Sequence, residues 1–234
     1  MIIKLDVVDS TQRAAWALVD DGAADGTVVV AEAQTEGKGR RGRVWEAPAG
    51  TSLLMSMVMR TRLTAAERPL LSFAVAVAIG RAITRLIGLP CGLKWPNDVR
   101  VDGRKVAGVL LEARGDVVVA GIGINVNQAR FPEPLAARAT SLRLVAGRVI
   151  ERDLLRDIVR EEIATWRRQL EDEGFEPIRQ AWRGAADMLG RQVTVDGFTG
   201  IADDVGADGG LVIRRGTEAR VVRAGELVET AEER

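Results

Sequence analysis

The chain has 234 residues, 47% of them hydrophobic, and its 33 cationic residues balance its 33 acidic ones. This length and composition predict a folded protein with one sizeable domain, or a domain with an appendage, and they exclude a disordered chain. A formal charge of zero counts against a general nucleic-acid binder, which would carry a strongly basic domain.

Several missing residue types exclude whole classes of chemistry. There is no histidine, so a histidine general base, a catalytic triad and a histidine metal site are excluded. The single cysteine, Cys91, cannot form a disulfide within the chain, which fits a reducing, cytoplasmic environment, and it is expected to be a packed side chain. The longest apolar run, Leu70 to Ile79, is too short to span a bilayer.

The first third of the chain predicts three strands and one helix. Ile2 to Val8 alternates loosely as a strand, and Ser10 and Thr11 offer an N-cap to a helix over Gln12 to Val19. Capping alone would explain both hydroxyl residues. Two further apolar runs predict strands: Thr27 to Ala33 and Thr51 to Met59.

Between these two strands lies the basic loop, residues 34–45, with the sequence QTEGKGRRGRVW. It holds three glycines and four cationic side chains, and it is too polar to be predicted as a strand or a helix. Glycine lets main-chain N–H groups approach a ligand, and the cations add fixed positive charge. Together they favour an anionic ligand such as a carboxylate or a phosphate. A mobile surface loop with solvated arginines is the alternative.

The middle of the chain predicts a long helix, a hairpin and a glycine-rich strand. The helix is expected over Thr64 to Ile87, ended by Gly88. After the polar segment LKWPND at 93–98, Asp102-Gly103 joins two strands as a hairpin turn. The next strand continues into GIGIN at 121–125, whose alternate glycines leave one face bare for a flat ligand. A bulge or a close helix contact would also explain these glycines.

The last third predicts two helices followed by a small barrel. The helices are expected over Glu151 to Glu173, whose arginines are interpreted as a solvated face, and over Phe175 to Ala185. The barrel is predicted from four short strands separated by turn residues. These strands are Gln192 to Val195, Thr199 to Asp203, Leu211 to Arg214 and Ala219 to Val222.

Three polar segments, each at a strand edge, carry a resemblance to a known family. They are GKGRRGRVW at 37–45, KWPNDV at 94–99 with the following GRKVAGVL at 103–110, and GIGIN at 121–125. In this order and spacing the chain resembles the biotin protein ligases, the biotin–[acetyl-CoA-carboxylase] ligases, over almost its whole length. One departure is Lys38, where the family usually has arginine. Adjusted contacts, rather than lost function, are expected at that position.

The resemblance implies an α+β fold. A mixed-sheet catalytic domain, like those of class II synthetases and biotin ligases, is expected over residues 1–187, followed by a small SH3-like β-barrel over residues 188–234. Eight residues precede the first motif, so the winged helix-turn-helix of bifunctional members, and specific DNA binding, are not expected. No membrane partner is expected either, and a homodimer is left open.

The resemblance also implies a reaction. The chain is expected to use ATP and Mg²⁺ to activate biotin as biotinyl-5′-AMP, and then to transfer biotin to a lysine of the biotin carboxyl carrier protein of an acetyl-CoA (acyl-CoA) carboxylase. A positive site and Mg²⁺ would overcome the repulsion between the two reacting anions. Lipoate–protein ligase-like adenylation is the alternative. A non-catalytic DNA-binding repressor or carrier-binding adaptor is the rival from another class.

The resemblance finally implies which residues form the site. Lys105 and Arg40 are the expected catalytic residues. Those expected to bind biotin are Ser10, Thr11, Gln12, Gln34, Gly37, Lys38, Gly39, Arg40, Lys105, Gly108, Gly121 and Gly123. Those expected to bind the nucleotide are Arg40, Arg41, Trp45, Lys94, Asn97 and Asn125. Metal ligands cannot be assigned, and Trp95 and Pro96 are expected to be structural.

Overall fold

A mixed seven-stranded sheet forms the centre of the molecule in the computed structural model, which describes residues 1–229. Its strands are β1 (Ile2–Val8), β2 (Val28–Gln34), β3 (Ser52–Arg60), β4 (Gly92–Lys94), β5 (Asp98–Val101), β6 (Arg104–Arg114) and β7 (Val117–Asn125). They lie in the order β1-β2-β3-β7-β6-β5-β4. The β1–β2 pair is parallel and the other neighbouring pairs are antiparallel, so the predicted mixed sheet is confirmed.

Helices cover both faces of this sheet. They are α1 (Thr11–Asp20), α2 (Leu71–Ile87), α3 (Leu142–Ala146), α4 (Arg152–Glu173) and α5 (Glu176–Ala185). Residues two apart on a strand share a face, and the core divides accordingly. Val58 and Val119 pack with Trp16 of α1, whereas Met57 and Met59 belong to the larger core that contains α2 and α4. The α1 helix therefore lies alone on one face within the described residues.

The N-cap prediction is confirmed, but the long helix begins later than predicted. The Ser10 side chain accepts a hydrogen bond from the Gln12 N–H at the start of α1. Residues 64–67 form a turn, in which Glu67 accepts hydrogen bonds from the Thr64 N–H and hydroxyl. A short 3₁₀ segment containing Pro69 follows, and the α-helix starts only at Leu71. Pro69 has no N–H to donate, which interrupts the α-helical hydrogen bonds between this turn and Leu71.

The arginines of α4 are not all solvated, so their interpretation as a surface face is wrong in part. The Arg156 side chain is 7% exposed and lies 2.7 Å from Asp153 and 2.9 Å from Asp157. Arg167 is 13% exposed and bonds Asp25, which precedes β2. Buried guanidinium groups require such partners. Arg156 finds both of its partners within α4, whereas Arg167 joins α4 to the segment before β2.

A second, antiparallel sheet follows α5 and is called the C-terminal sheet. Its strands are β8 (Gln192–Val195), β9 (Phe198–Val205), β10 (Leu211–Arg215), β11 (Glu218–Val222) and β12 (Leu227–Glu229), in the order β11-β10-β9-β8-β12. The four predicted strands are present. The sequence prediction missed β12, which is only three residues long. The predicted small domain runs to residue 234, and residues 230–234 lie outside the described part of the chain. That this domain is SH3-like stays a prediction.

The two sheets share one continuous core, centred on the first turn of α2. The ring of Phe73 packs edge-on against both Phe175 and Trp182, with centroids 5.3 Å apart in each pair. Gly209 of the C-terminal sheet also lies against Phe73, and its carbonyl accepts a hydrogen bond from the buried Trp95 indole at 3.1 Å. The boundary predicted at residues 187/188 falls between α5 and β8, and the core crosses it.

Residues Arg68–Ile87 are long and apolar enough to cross a membrane by length and composition alone. In this fold, 67% of the apolar window is buried inside the protein, as in the core helix of a globular domain.

Replacing Trp182 with alanine should destabilise the fold by about 3–5 kcal/mol, because it removes a fully buried indole and leaves a cavity beside Phe73. Urea denaturation followed by circular dichroism measures the change. The matched control is Leu154→Ala, at a position that is 51% exposed on α4, and it should change stability by less than about 0.5 kcal/mol. Equal effects of the two substitutions would contradict the packing described here.

Candidate active site

A cleft of about 790 Å³ opens on the α1 face of the central sheet. All but one of the residues predicted for the site line it. These are Ser10, Thr11, Gln12, Gln34, Lys38, Gly39, Arg40, Arg41, Trp45, Lys94, Asn97, Lys105, Gly108, Gly121, Gly123 and Asn125. The exception, Gly37, lies in an adjoining recess behind the basic loop. The structure therefore brings together segments that are up to 115 residues apart in sequence.

The floor of the cleft is made of glycines from β6 and β7. Gly108 pairs directly with Gly123, and Gly121 is two residues away on the same face. Val117 and Val119 precede them on this face and are covered by α1. The strand therefore carries valines under the helix and glycines beyond the N-terminus of the helix. The Trp45 indole lies on this floor: a Cβ built on Gly123 would be 2.5 Å from its ring. The indole Nε1 is buried without a hydrogen-bond partner among the described residues.

One end of the cleft is polar and buried. Gln34 Oε1 accepts from the Thr11 N–H at 2.8 Å and lies 3.1 Å from the Thr11 hydroxyl. That hydroxyl is 2.9 Å from Ser56 Oγ, which is 3.0 Å from Gln12 Oε1. The Gln12 amide is fixed in turn by donating to the Val119 carbonyl at 3.0 Å. The four side chains form one cluster at the N-terminus of α1, which we call the polar pocket.

The basic loop is folded back on itself as a narrow hairpin. Lys38 bridges to Val44, and the Gly39 N–H donates to the Arg43 carbonyl at 2.7 Å. Arg41, at the tip, has φ 57°, which carries the chain through the left-handed region. Its guanidinium lies 3.7 Å from Asp196, and Arg43 pairs with Glu226, both in the C-terminal part of the chain. Both arginines therefore have acidic partners, while their side chains are 57% and 62% exposed.

Arg40 and Lys105 both line the cleft near Asp98. The Lys105 ammonium is 2.6 Å from Asp98 and 5.6 Å from the centroid of the Trp45 ring. Arg40 donates to the Asn97 side chain at 3.1 Å. Burial lowers the pKa of Arg40, and the Asp98 charge opposes that shift. Asp98 therefore pairs directly with Lys105 and attracts Arg40 over a longer distance.

Both asparagines predicted for the nucleotide use their amides within the protein. Asn97 accepts from Arg40 and donates to the Val109 carbonyl at 2.7 Å. Asn125 donates to the Thr140 carbonyl at 3.1 Å and accepts from Gln128 at 3.0 Å. Each amide therefore positions neighbouring groups of the cleft wall. Whether either also contacts a nucleotide stays a prediction.

Sequence reasoning missed several residues that line the cleft. Ser56 is the polar residue among the three β3 residues that line the cleft, and its interruption of an apolar run is the available signal. Asp98 lies inside the KWPNDV segment, but was not singled out. Arg100 and Glu229 carry no local signal, because their importance comes from contacts with residues more than 80 positions away.

The lone cysteine is remote from this chemistry. Cys91 is half-buried beside α2, and burial raises the pKa of its thiol to about 11. It is therefore a neutral thiol at physiological pH and a poor nucleophile. This agrees with its interpretation as a packed side chain.

A glycine floor, a buried polar pocket and a cationic loop within one cleft are what a ligase needs to join a small carboxylic acid to a nucleotide. The chain belongs to the biotin/lipoate A/B protein ligase family, whose model matches residues 5–128.

Relatives match nearly the whole chain. A biotin–[acetyl-CoA-carboxylase] ligase of Paracoccus denitrificans is 35% identical over 237 residues, which cover 94% of this chain and 96% of that protein. A bifunctional ligase/repressor of Bacillus subtilis is 35% identical, over 91% of this chain and 69% of that protein. The solved biotin protein ligase of Aquifex aeolicus in complex with biotin and ATP superposes with a TM-score of 0.88, at 30% identity and 98% coverage of both chains.

Gly37→Ala should open the basic loop, although Gly37 is outside the cleft. The added methyl would overlap the Trp45 carbonyl oxygen and force apart the pair in which the Trp45 N–H donates to the Gly37 carbonyl at 2.9 Å. Hydrogen exchange of the amides in residues 37–45 should become faster, with little loss of global stability.

The control for this experiment is Gly184→Ala on α5, where an added methyl meets no atom within 4 Å. It should leave exchange in the loop unchanged. Equal protection of the loop in Gly37→Ala and in the unsubstituted protein would show that this backbone pair does not hold the loop.

Proposed function

We propose that the chain activates biotin with ATP to form biotinyl-5′-AMP, and then transfers biotin to a lysine of a biotin carboxyl carrier protein. The observation that carries this proposal is that the polar pocket and the basic loop with Lys105 open into one cleft. This arrangement suits a ligand that is polar at one end and anionic at the other. The names of the relatives, and the Aquifex aeolicus complex with biotin and ATP, support the same activity.

The polar pocket suits the ureido ring of biotin. The Thr11 hydroxyl can point its proton to Gln34 Oε1 or to Ser56 Oγ, so no single partner fixes it and it can turn towards a ureido oxygen. Gln34 then still receives the hydrogen bond from the Thr11 N–H. A site built from such groups rejects ligands that leave them unpaired, as the dithiolane ring of lipoate would. The pocket therefore supports biotin over lipoate.

The glycine floor and the basic loop accommodate the rest of the substrate. The biotin chain lies over Gly108, Gly121 and Gly123. Because the Trp45 ring occupies this floor, it must move aside when the ligand enters, towards the nucleotide that it is expected to bind. The loop residues around Gly39 receive the carboxylate and the α-phosphate. Main-chain N–H groups and cationic side chains are both available there.

Adenylation joins two anions, and the cations of the cleft lower the cost of that encounter. A biotin carboxylate oxygen attacks the α-phosphorus of ATP, the bond to the bridging oxygen breaks, and pyrophosphate leaves. Arg40 and Lys105 stabilise the negative charge on the phosphoryl oxygens, because they are fixed before the substrates arrive. Arg41, Lys94, Asn97 and Asn125 form the nucleotide side of the site.

Mg²⁺ is proposed as the metal that accompanies ATP. The described residues contain no group of three or more acidic, cysteine or histidine side chains that could form a metal cage. Mg²⁺ fits the cleft nonetheless, because it is commonly held by substrate phosphates and one or two carboxylates. Asp98, which pairs with Lys105 and attracts Arg40, is the carboxylate beside the proposed reacting centre. When bound, the ion would neutralise charge on the phosphates.

Transfer to the carrier protein needs no covalent group from the enzyme. The amine of the acceptor lysine attacks the acyl carbon of biotinyl-5′-AMP, an amide forms, and AMP leaves with the bonding electrons. This fits a chain without histidine and with one packed cysteine. A cytoplasmic location, the lack of specific DNA binding and the oligomeric state stay predictions.

The direct test is to incubate the protein with biotin, ATP and Mg²⁺ and to identify biotinyl-5′-AMP by mass spectrometry. Lipoate at equal concentration is the competitor, and a carrier domain with its acceptor lysine changed to arginine is the control for transfer. Formation of lipoyl-5′-AMP in preference to the biotin adduct, or of neither product, would overturn the proposal.

Lys105→Ala should slow adenylate formation about 10²–10³-fold in single-turnover experiments. Biotin affinity should fall much less, because the Lys105 charge matters most when carboxylate and phosphate meet. The control is Lys4→Ala, which removes an exposed lysine paired with Asp153 far from the cleft and should leave the rate unchanged. An unaltered adenylation rate in Lys105→Ala would remove this residue from the reacting centre.

A further inference from the structure

We propose that Glu229, in the C-terminal sheet, is a positioning residue for adenylation: its carboxylate holds the Lys94 ammonium at the wall of the cleft, ready for the phosphates of ATP. This inference rests on the proposed function. It makes the second sheet a working part of the nucleotide site.

The Glu229 carboxylate lies among three cations. Glu229 Oε1 lies 2.6 Å from Arg100 Nη1 and 3.8 Å from Lys94 Nζ. Its other oxygen is 3.8 Å from Arg191 Nη1. The Glu229 and Lys94 side chains are only 20% and 21% exposed, so solvent screens their attraction less than it screens a surface pair.

Arg100 anchors this carboxylate and is itself fully engaged. It comes from β5, is 7% exposed, and directs Nε to both oxygens of Asp187, at 2.9 and 3.1 Å. Its Nη2 also pairs with Asp187, and its Nη1 bonds Glu229. Two carboxylates thus occupy the whole guanidinium fork. All three guanidinium nitrogens of Arg100 donate to these carboxylates, and Arg100 thereby fixes Glu229 in place.

The backbone of the C-terminal sheet sets where the carboxylate stands. Glu229 pairs with Val193 in the β12–β8 ladder, and Leu227 at the start of β12 is buried in the core. Lys94 ends β4, at the edge of the central sheet. The Glu229–Lys94 pair therefore joins the edges of two sheets across the cleft, which both residues line.

The charges in this cluster do not cancel. Three cations, Lys94, Arg100 and Arg191, face the two carboxylates of Asp187 and Glu229. Arg100 is held between the two carboxylates, whereas Lys94 lines the cleft, where its ammonium can meet an anionic ligand. Without the Glu229 charge, Lys94 would be left beside Arg100, a like charge that drives it away from its present position.

The protonation of Lys94 depends on the same neighbours. Burial lowers the pKa of Lys94, Glu229 raises it, Arg100 lowers it, and Asp98 and Asp187 raise it. Removing the Glu229 charge should lower the pKa of Lys94 further. Because only the protonated amine attracts phosphate, ATP affinity should then be lost at a lower pH than in the unsubstituted protein.

Glu229→Gln is the main variant, since it keeps the shape of the side chain and removes its charge. The KM for ATP in biotinyl-5′-AMP formation should rise about tenfold, with kcat and biotin affinity nearly unchanged, as expected for a lost ground-state contact. The alkaline fall in ATP affinity should move to lower pH. Glu218→Gln, at an exposed position of β11 paired with Arg215, is the control and should alter neither quantity.

Two further variants separate a specific role from a structural one. In a Lys94→Ala background, Glu229→Gln should add little to the KM for ATP, because its target is gone. Glu229→Asp keeps the charge, so its alkaline profile should match that of the unsubstituted protein while the shorter side chain raises the KM moderately. Glu229→Asp also decides the question if Glu229→Gln fails to fold.

The outcomes are distinguishable. If the unsubstituted protein makes no biotinyl-5′-AMP, the proposed function fails. If it is active, an unchanged KM and pH profile in Glu229→Gln, an equal increase of KM with and without Lys94, or an unchanged KM in Glu229→Asp would overturn the role of Glu229.

Discussion

Repulsion among cations is the constraint on which the cleft depends. Eight cationic residues line it against four carboxylates, although the chain as a whole carries a formal charge of zero. Such a concentration is stable only where neighbouring elements supply counter-charges and hydrogen-bond acceptors. Asp98 pairs with Lys105 and attracts Arg40, and Asp187 and Glu229 both pair with Arg100. The excess that remains is directed into the cleft, where it can bind anions.

The central sheet provides the space for those anions. On its α1 face, strand β7 carries valines where the helix covers it and glycines beyond the helix N-terminus. The same strand therefore contributes to the core at one end and to the floor of the cleft at the other. The polar pocket forms at the same boundary, because the N-terminus of α1 places Thr11 and Gln12 beside Ser56. The C-terminal sheet closes the opposite side. The polar pocket, the glycine floor and the attachment of the second sheet are therefore consequences of one packing arrangement.

The sequence predicts those parts of this arrangement that leave a local pattern. Alternating strands, the glycine-rich segments and the hairpin at Asp102-Gly103 depend on neighbouring residues, and the structure contains them. The predicted start of α2 is wrong because Pro69, which cannot donate a helical hydrogen bond, separates the turn at residues 64–67 from the α-helix. The partners of Arg100 and Glu229 are set by tertiary contacts over long separations, which no periodicity reveals. The position of Trp45 on the glycine floor is likewise a property of the folded loop.

The central claim is that the two ends of this cleft bring a biotin carboxylate onto the α-phosphorus of ATP. It is tested most directly with biotin labelled with ¹⁸O in both carboxylate oxygens, incubated with the protein, ATP, Mg²⁺ and a carrier domain. Attack at the α-phosphorus, followed by aminolysis at the acyl carbon, leaves one ¹⁸O atom in the AMP released. Mass spectrometry should find that atom in AMP and none in pyrophosphate. Unlabelled AMP, or ¹⁸O in pyrophosphate or inorganic phosphate, would contradict the account.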